Sequence, residues 1–569
     1  MRSVAQIRSC SFEEIRRLFQ DHQHQRHQQS SSSSTTRTGD DDDDDSDLIT
    51  SSSSWTQATD SLLKRQIRDS SRENPFYLVD LASIRRKCLH WFRVFPKIVP
   101  FYAMKCNPDS AILAVLAAMN IGFDCASQSE ISAVLALNVP PERIIFAHPF
   151  KPKRELLFAK EKCVSRMTFD NVQELHKIHH LYPNAELLLR IKCDDSHSKN
   201  PLSHKFGALL SDCPSLISLV KDLNLHLVGV SFHAGNECYD AAAYATALHD
   251  AHKVFVMARE NDFFLSVLDI GGGYPGGCEG APEGCEDQNP LRNDDQSHEN
   301  TISLEDIAAV VNPLIEDLFA EDVQVIAEPG RFFVESSHTL AVRVIAKKFP
   351  PSSSSSFSDL ADATHSAEIS SSLSWDSSPY HRSLLDCVHR SNSVKCECDI
   401  CVDDSCTKRN HCHLDEHLPD GEPSPCSSSS SPKVHYFVNE GVYGSFKDSI
   451  LLQEKFSPRI LHVPLKFPPE TSSQFGDRVK SAIFGPTDNP RDCIHSGVML
   501  PSIPVGSWLT FPSMGAYTVS LASCHGGNHA PEVVYAWISQ SSDFESFLSV
   551  AEQSFPFFPK FKVDFLFIK

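Results

Sequence analysis

The sequence predicts an α/β protein: a (β/α)8 TIM-type barrel followed by an all-β C-terminal domain, with a disordered N-terminal arm and insertions. Three observations predict it. Between Pro100 and Pro329, eight short β-rich runs alternate with helix-length amphipathic segments. After about residue 434, strand-like runs are punctuated by Gly and Pro. Tracts rich in Ser, Asp and Gln lie outside both regions.

Residues 1–70 read as a low-complexity arm. A Gln/His stretch, Ser30–Ser34, Asp40–Asp45 and Ser51–Ser54 hold too little apolar surface to offset the entropy of ordering. Its one exception is SFEEIRRLF, where Ser11 caps a short helix with Phe12, Ile15, Leu18 and Phe19 on one face. The barrel occupies 75–335. Its strands are PFYAMK, GFDCA, RIIFAH, RMTFD, ELLLRI, LVGVSFH, SVLDIGG and VQVIAEP. SAILAVLAAM, SEISAVLAL, KRELLFAKEK, VQELHKIHH, AAYATALHDAHKVFVMAREN and LEDIAAVVNPLIEDLF lie between them with apolar residues three and four apart. A doubly wound open sheet would also bury such strands on both faces, and the motifs decide between the two. The all-β domain takes 336–348 and 434–556, where VHYFVNEGVYGSF, RILHVPLKF, SAIFGP, SWLTFPSMGAYTVSLA and EVVYAWIS read as strands. A Ser- and Cys-rich insertion, 349–433, splits it, and a smaller acidic insertion follows the seventh barrel strand.

Composition narrows the function classes. Lys and Arg total 52 against 73 Asp and Glu, a net charge of −21 that repels phosphate backbones and anionic membranes, so neither nucleic acid nor membrane is expected as a partner. No run approaches the eighteen apolar residues of a membrane helix, and the N-terminus lacks the apolar core of a secretory signal. A cytoplasmic location is expected. The 19 cysteines are an odd number spread along the chain, which suits reduced thiols. Cys396, Cys398, Cys401, Cys406 and Cys412 cluster with His411, His413 and His417 at metal-like density but form no clean pair of C-x2-C knuckles, so no metal is assigned.

In a barrel the chemistry belongs at the C-terminal ends of the strands, and there stand Lys105, Asp124, His148, Asp170, Arg190, His233, Gly271–Gly273 and Glu328. A lysine ending an apolar strand suits Schiff-base chemistry, because desolvation frees its amine; taken alone it reads more readily as a surface lysine just past a strand end. Gly271, Gly272 and Gly273 let backbone N–H groups approach an anion, with Arg331 as a basic companion, or form a plain turn. Glu328 needs a cationic or hydrogen-bonding partner if it is buried. A pyridinium nitrogen or an arginine such as Arg331 would serve.

The motifs FYAMKCN, GFDCAS, LLLRIK, KFGA, VSFHAGN, LDIGGGYPG, AEPGRFFV, VYGSF, FGPT and FPSMGAYT resemble eukaryotic ornithine decarboxylase, of the fold-type-III pyridoxal-phosphate (PLP) decarboxylases, over about 75–348 and 434–540. The resemblance implies a PLP-binding barrel with an all-β domain, and pyridoxal 5′-phosphate as cofactor. It implies that Lys105 carries the cofactor as a Schiff base, Glu328 pairs with the pyridine nitrogen and His233 stacks on the ring. Asp124, Glu130, Arg190 and Lys205 match pocket positions, and Gly271–Gly273, Arg331 and Tyr517 match phosphate-binding positions. A protonated ring draws off the electrons left at Cα when CO2 departs.

Three departures fall mostly on the substrate side. Where the family reads GPTCD this chain reads GPTDN, so Asp488 takes the place of the catalytic cysteine and Asn489 that of a substrate-binding aspartate. Leu452 or Gln453 stands where the family grips the distal ammonium. At the phosphate, Asn236 replaces a serine and Glu237 a glycine, adding negative charge. Two readings follow. One is decarboxylation of a basic amino acid, L-ornithine to putrescine, by a homodimer in which Asp488 and Tyr517 complete the partner's barrel site. The other is an antizyme-inhibitor-like binding protein, with antizyme as partner at a basic patch of Lys153, Arg154, Lys160 and Lys162, a set that reads equally as a solvated helix face.

Overall fold

The computed structural model describes residues 52–70, 72–277, 302–350, 432–452, 454–463, 478–523, 530–539, 547 and 563–567. The Ser11–Phe19 helix, the acidic tracts, nearly all of both insertions and Gln453 lie outside the described residues.

Helix α1 (Ser52–Ser70) precedes β1 (Phe76–Asp80) and α2 (Leu81–Val94). The barrel strands are β2 (Ile98–Ala103), β3 (Gly122–Cys125), β4 (Ile144–Phe146), β5 (Arg166–Phe169), β6 (Glu186–Arg190), β8 (His226–Ser231), β10 (Val267–Asp269) and β11 (Gln324–Ala327). A two-stranded ribbon, β7 (Ser198–Asn200) with β9 (Asn236–Cys238), is inserted among them. All eight predicted runs form strands. They close in the order β2-β3-β4-β5-β6-β8-β10-β11, every neighbour parallel, which settles the barrel against the open sheet.

Polar caps start most of the helices that follow the barrel strands. Asp109 accepts from the Ala111 and Ile112 amides to start α3 (Ser110–Ala118), and Ser127 starts α4 (Gln128–Leu135). After α5 (Lys153–Glu161), Asn171 caps α6 (Val172–Leu181). After α7 (Cys213–Asp222), Asp240 caps α8 (Ala241–Glu260). A Ser303/Asp306 capping box opens α9 (Leu304–Leu318). Helices α2 and α7 were not anticipated from the sequence. The barrel interior is filled by Phe101, Ile145, Ala147, Leu188, Val267 and Ile326, so it is a packed core rather than a pore. Phe101 fits because its neighbour on β3 is Gly122, whose hypothetical Cβ would lie 2.7 Å from the ring.

A short helix, α10 (Arg331–Val334), leads to β12 (His338–Lys348), the backbone of the second domain. There β13 (Val434–Val438), α11 (Asp448–Leu451), β14 (Arg459–Leu461), β15 (Val479–Phe484), β16 (Cys493–Leu500), β17 (Trp508–Phe511), β18 (Glu532–Ser539) and β19 (Val563–Phe567) follow. They build a mixed sheet ordered β16-β15-β13-β12-β1-β18-β19, with β17 pairing β12 and β14.

Three expectations are corrected. Residues 52–70, assigned to the arm, are helical: Ala58, Leu62, Leu63 and Ile67 recur on one face and pack on Phe76, Leu78, Trp508 and Ile538 of the second sheet. The Ser-rich start hid that stripe. Strand β1, placed within the barrel by its position in the chain, pairs instead with β12 (Tyr77 opposite Leu340) and β18 (Tyr77 opposite Val533). The sheet also continues past 556, since β19 pairs with β18. Among the described residues no helix is long and apolar enough to cross a membrane.

Candidate active site

The barrel mouth gathers titratable groups that the strands deliver from different parts of the chain. Lys105 follows β2, and its Nζ donates to Asp124 Oδ2 at the end of β3 (3.0 Å). Asp124 is buried, whereas the Lys105 side chain is 46% exposed at the mouth. Desolvation pulls the Lys105 pKa down, but Asp124, Tyr517 and Glu328 outweigh it and raise it above the ordinary lysine value. The amine is therefore held as an ammonium by carboxylates.

Two buried carboxylates of the mouth, Glu328 and Asp269, were not equally visible beforehand. Glu328 follows β11 and is 4% exposed, and its Oε1 has no hydrogen-bond partner. Asp269 ends β10 and is fully buried, accepting from Ser231 Oγ (2.7 Å) and the Gly271 amide (3.0 Å). Burial raises the Glu328 pKa well above the carboxylate range, with Asp269 and Asp124 adding to it. Burial likewise pushes Asp269 up to about 6. Burial thus favours protonation of this pair of acids. Asp269 was missed by sequence reasoning, although a lone acid inside the apolar run SVLDIGG was its signal.

His233 follows β8. Its Nδ1 accepts from the Gly235 amide (3.1 Å), which leaves the proton on Nε2. Burial, then Arg190 and Lys105, lower its pKa well below the usual histidine value, so the ring is neutral. The Nε2 edge meets Gly272, where a Cβ would sit 2.8 Å away. Arg190, at the end of β6, stacks on Phe206 at 5.2 Å. Lys205 lies over the same ring at 4.9 Å but is exposed. Glu130 accepts from the Ala126 amide (2.5 Å) on the turn after β3.

The glycine turn carries φ of +63° at Gly271 and +109° at Gly273, conformations that favour glycine. The Cys238 amide donates to Gly273 O (3.1 Å), which ties the turn to ribbon strand β9 with Asn236 and Glu237. Arg331 sits beside it, 11% exposed, with its Nε 3.2 Å from Glu237 Oε1 and Nη1 donating to Glu335 Oε1 at 3.1 Å. The expected alternative, an Arg331–Glu328 pair, is not formed.

Tyr517 requires a correction. It was expected to complete the partner's site, yet its amide donates to Cys106 O (3.0 Å), next to Lys105, and its ring lies 5.5 Å from the Arg331 guanidinium of the same chain. A left-handed φ of +56° at Tyr517 turns the segment onto its own barrel. Asp488 and Asn489 are not drawn into this cluster. Asp488 is exposed on the β15–β16 loop, and Asn489 donates to the Tyr443 hydroxyl. Buried Asp492 holds that loop by accepting from the Val442 amide (2.9 Å), the Thr487 amide (3.0 Å) and Thr487 Oγ1 (2.7 Å). Leu452 caps the end of α11.

A closed parallel barrel with a carboxylate-held lysine after its first strand, an unpaired buried carboxylate after its last and a glycine turn beside an arginine defines a protein that binds pyridoxal 5′-phosphate. The residues fit that cofactor, Glu328 Oε1 above all, since a ring N–H is the partner it lacks. The chain belongs to the pyridoxal-dependent decarboxylases: the family's pyridoxal binding domain matches residues 81–335 and its C-terminal sheet domain matches 423–515. It is 34% identical to antizyme inhibitor 2 of Xenopus laevis over 473 residues, covering 83% of each chain. It is 34% identical to ornithine decarboxylase of Rattus norvegicus over 493 residues, covering 86% of each. Among solved structures, the Paramecium bursaria Chlorella virus arginine decarboxylase bound to agmatine superimposes with a TM-score of 0.62 at 27% identity, covering 84% of this chain and all of that one.

Proposed function

We propose that this chain is a PLP-dependent decarboxylase of a basic amino acid, with L-ornithine to putrescine as its reaction, working as a homodimer in the cytoplasm. One observation carries the reading: a buried, unpartnered Glu328 oxygen stands in the same mouth as the Lys105–Asp124 pair. A buried acid oxygen without a donor costs stability, and a ring N–H is a partner that would offset that cost.

When bound, PLP supplies an electron sink for the bond that loses CO2. Lys105 would hold the cofactor aldehyde, Asp124 would keep the lysine oriented, and Glu328 would hold the proton at the ring nitrogen. Neutral His233 would cover one ring face, with Gly272 leaving room at its edge. Gly271–Gly273, Asn236, Arg331 and Tyr517 would receive the phosphate. In the dimer Asp488 would be the partner-side proton donor and Asn489 a substrate contact. An exposed Asp488 on a loop fixed by Asp492 suits a group offered outward.

A second reading is a binding protein that captures antizyme. Lys153, Arg154, Lys160 and Lys162 are exposed on and just after α5, beside an open cavity of about 710 Å³ lined by Phe150, Lys153, His176, Lys177 and His180. CO2 release from ornithine, lysine and arginine by PLP-loaded protein separates the readings. Turnover on any of them supports the enzyme. Bound cofactor without CO2, together with antizyme capture, supports the binding protein.

A further inference from the structure

The segment after His233 places a carboxylate where an anion is to be received. Glu237 has φ of +52°, a left-handed conformation that glycine adopts freely and a glutamate adopts only under strain. That backbone aims its side chain between two cations: Oε1 is 3.2 Å from Arg331 Nε, and Oε2 is 3.3 Å from Lys199 Nζ on the facing ribbon strand. Arg331 is held from its other side by Glu335, and Lys199 is paired with Glu454. Asp448, also buried, senses Arg331, Glu454, Lys199 and Glu237. Four carboxylates thus face two cations in the seat.

The contacts within this ladder are imperfect. Arg331 Nε and Glu237 Oε2 are both buried without an aligned hydrogen-bond partner, although each lies within ion-pair distance of an opposite charge. A misaligned pair is weaker than the bidentate geometry that a guanidinium forms with a phosphate. Glu237 already touches Lys199, so it can give up Arg331 and keep a counter-charge.

We propose that Glu237 is a displaceable occupant of the phosphate seat: it competes with a phosphate monoester for Arg331, so that the cofactor loads by exchange and is held more loosely than Arg331 alone would allow. This rests on the assignment of PLP to the barrel mouth. It assigns to Glu237 a control over cofactor retention that is separate from the chemistry at Lys105.

The test is a titration of cofactor-stripped protein with PLP and, separately, with pyridoxal, which lacks the phosphate. Bound cofactor is read by its visible absorbance and by equilibrium dialysis. Glu237→Gln removes the charge and keeps the size; Glu237→Gly also relieves the strained backbone. With the charge gone, the PLP dissociation constant is expected to fall about tenfold in both variants, and the pyridoxal constant to stay the same. PLP affinity that is unchanged or weaker in folded Glu237→Gln protein overturns the proposal, as does pyridoxal affinity rising in step with that of PLP. Absence of cofactor binding in the parent protein and both variants would instead remove the PLP assignment itself, and the proposal with it.

Discussion

Asp492 and Glu328 are buried to nearly the same degree, 1% and 4% exposed, and their surroundings treat them in opposite ways. Asp492 takes two amides and a hydroxyl, and the approach of Gly441 and Gly485 leaves no room beside it for a Cβ. Glu328 is left with an unpartnered oxygen and two further carboxylates nearby, Asp269 and Asp124. The satisfied acid is scaffold, fixing the loop that carries Asp488. Under the proposed function the unsatisfied acid is a receptor whose missing partner would be supplied from outside the chain. Burial alone does not separate the two roles; hydrogen-bond satisfaction does.

The largest effect should come from the amine that the acids surround. Lys105→Ala is expected to abolish the visible absorbance of bound PLP and to lower decarboxylation by at least about 10³-fold, roughly 4 kcal/mol of barrier. Retention of either signal would sink the assignment of Lys105. Glu328→Gln sharpens the comparison further, because it removes the acid whose oxygen the fold leaves unsatisfied. Turnover should fall by about 10²-fold, while the cofactor-free protein gains about 1 kcal/mol from losing an uncompensated buried acid. A thermal melt of the cofactor-free protein reads the second effect, and a lower midpoint than the parent's would contradict it.

The same contrast explains what could be read from the sequence. The eight barrel strands were legible because each is a short apolar run, and the polar residues ending them were legible because they break that apolarity. Lys105, Asp124, His233 and Glu328 do converge in space. What could not be read is partnership. Arg331 was a reasonable partner for Glu328, yet Glu335, four residues on, and Glu237, which only the fold brings near, take it instead. The placement of β1 in the second sheet and the folding of Tyr517 onto its own barrel are likewise long-range outcomes, with Tyr77 meeting residues more than 250 positions away. Helix α1 was missed for a different reason: four buried apolar residues in nineteen form a stripe too thin to stand out of a polar tract.

On the satisfied side, Asp492→Ala should cost about 2–4 kcal/mol, since three donors lose their acceptor in a buried setting. Asp492→Asn should cost nearly as much. Its amide offers only one oxygen: placed at Oδ2 it meets the Thr487 N–H and hydroxyl, but it then turns an NH2 toward the Val442 amide that Oδ1 accepts from. Thermal midpoints of the two variants check this. If Asn restores the parent's midpoint, the loop depends on volume at this position and not on acceptor count.

The smallest effect is a pH dependence at the mouth. Asp269 has its pKa raised from 3.8 to about 6 by burial, so between those values the folded chain holds a proton that the unfolded chain has lost. Stability is then full below about pH 4 and declines as pH rises towards 6, the reverse of a salt-bridged aspartate. The loss is on the order of 3 kcal/mol for the cofactor-free protein, shared with Glu328 because the two acids hold their protons jointly. Asp269→Asn keeps an acceptor for the Gly271 amide and a polar partner for Ser231 while removing the ionisation. Its melting temperature should therefore lose this part of the slope between pH 4 and 6. An unchanged slope would assign the raised proton affinity to Glu328 alone and make Asp269 part of the scaffold, on the same side of the comparison as Asp492.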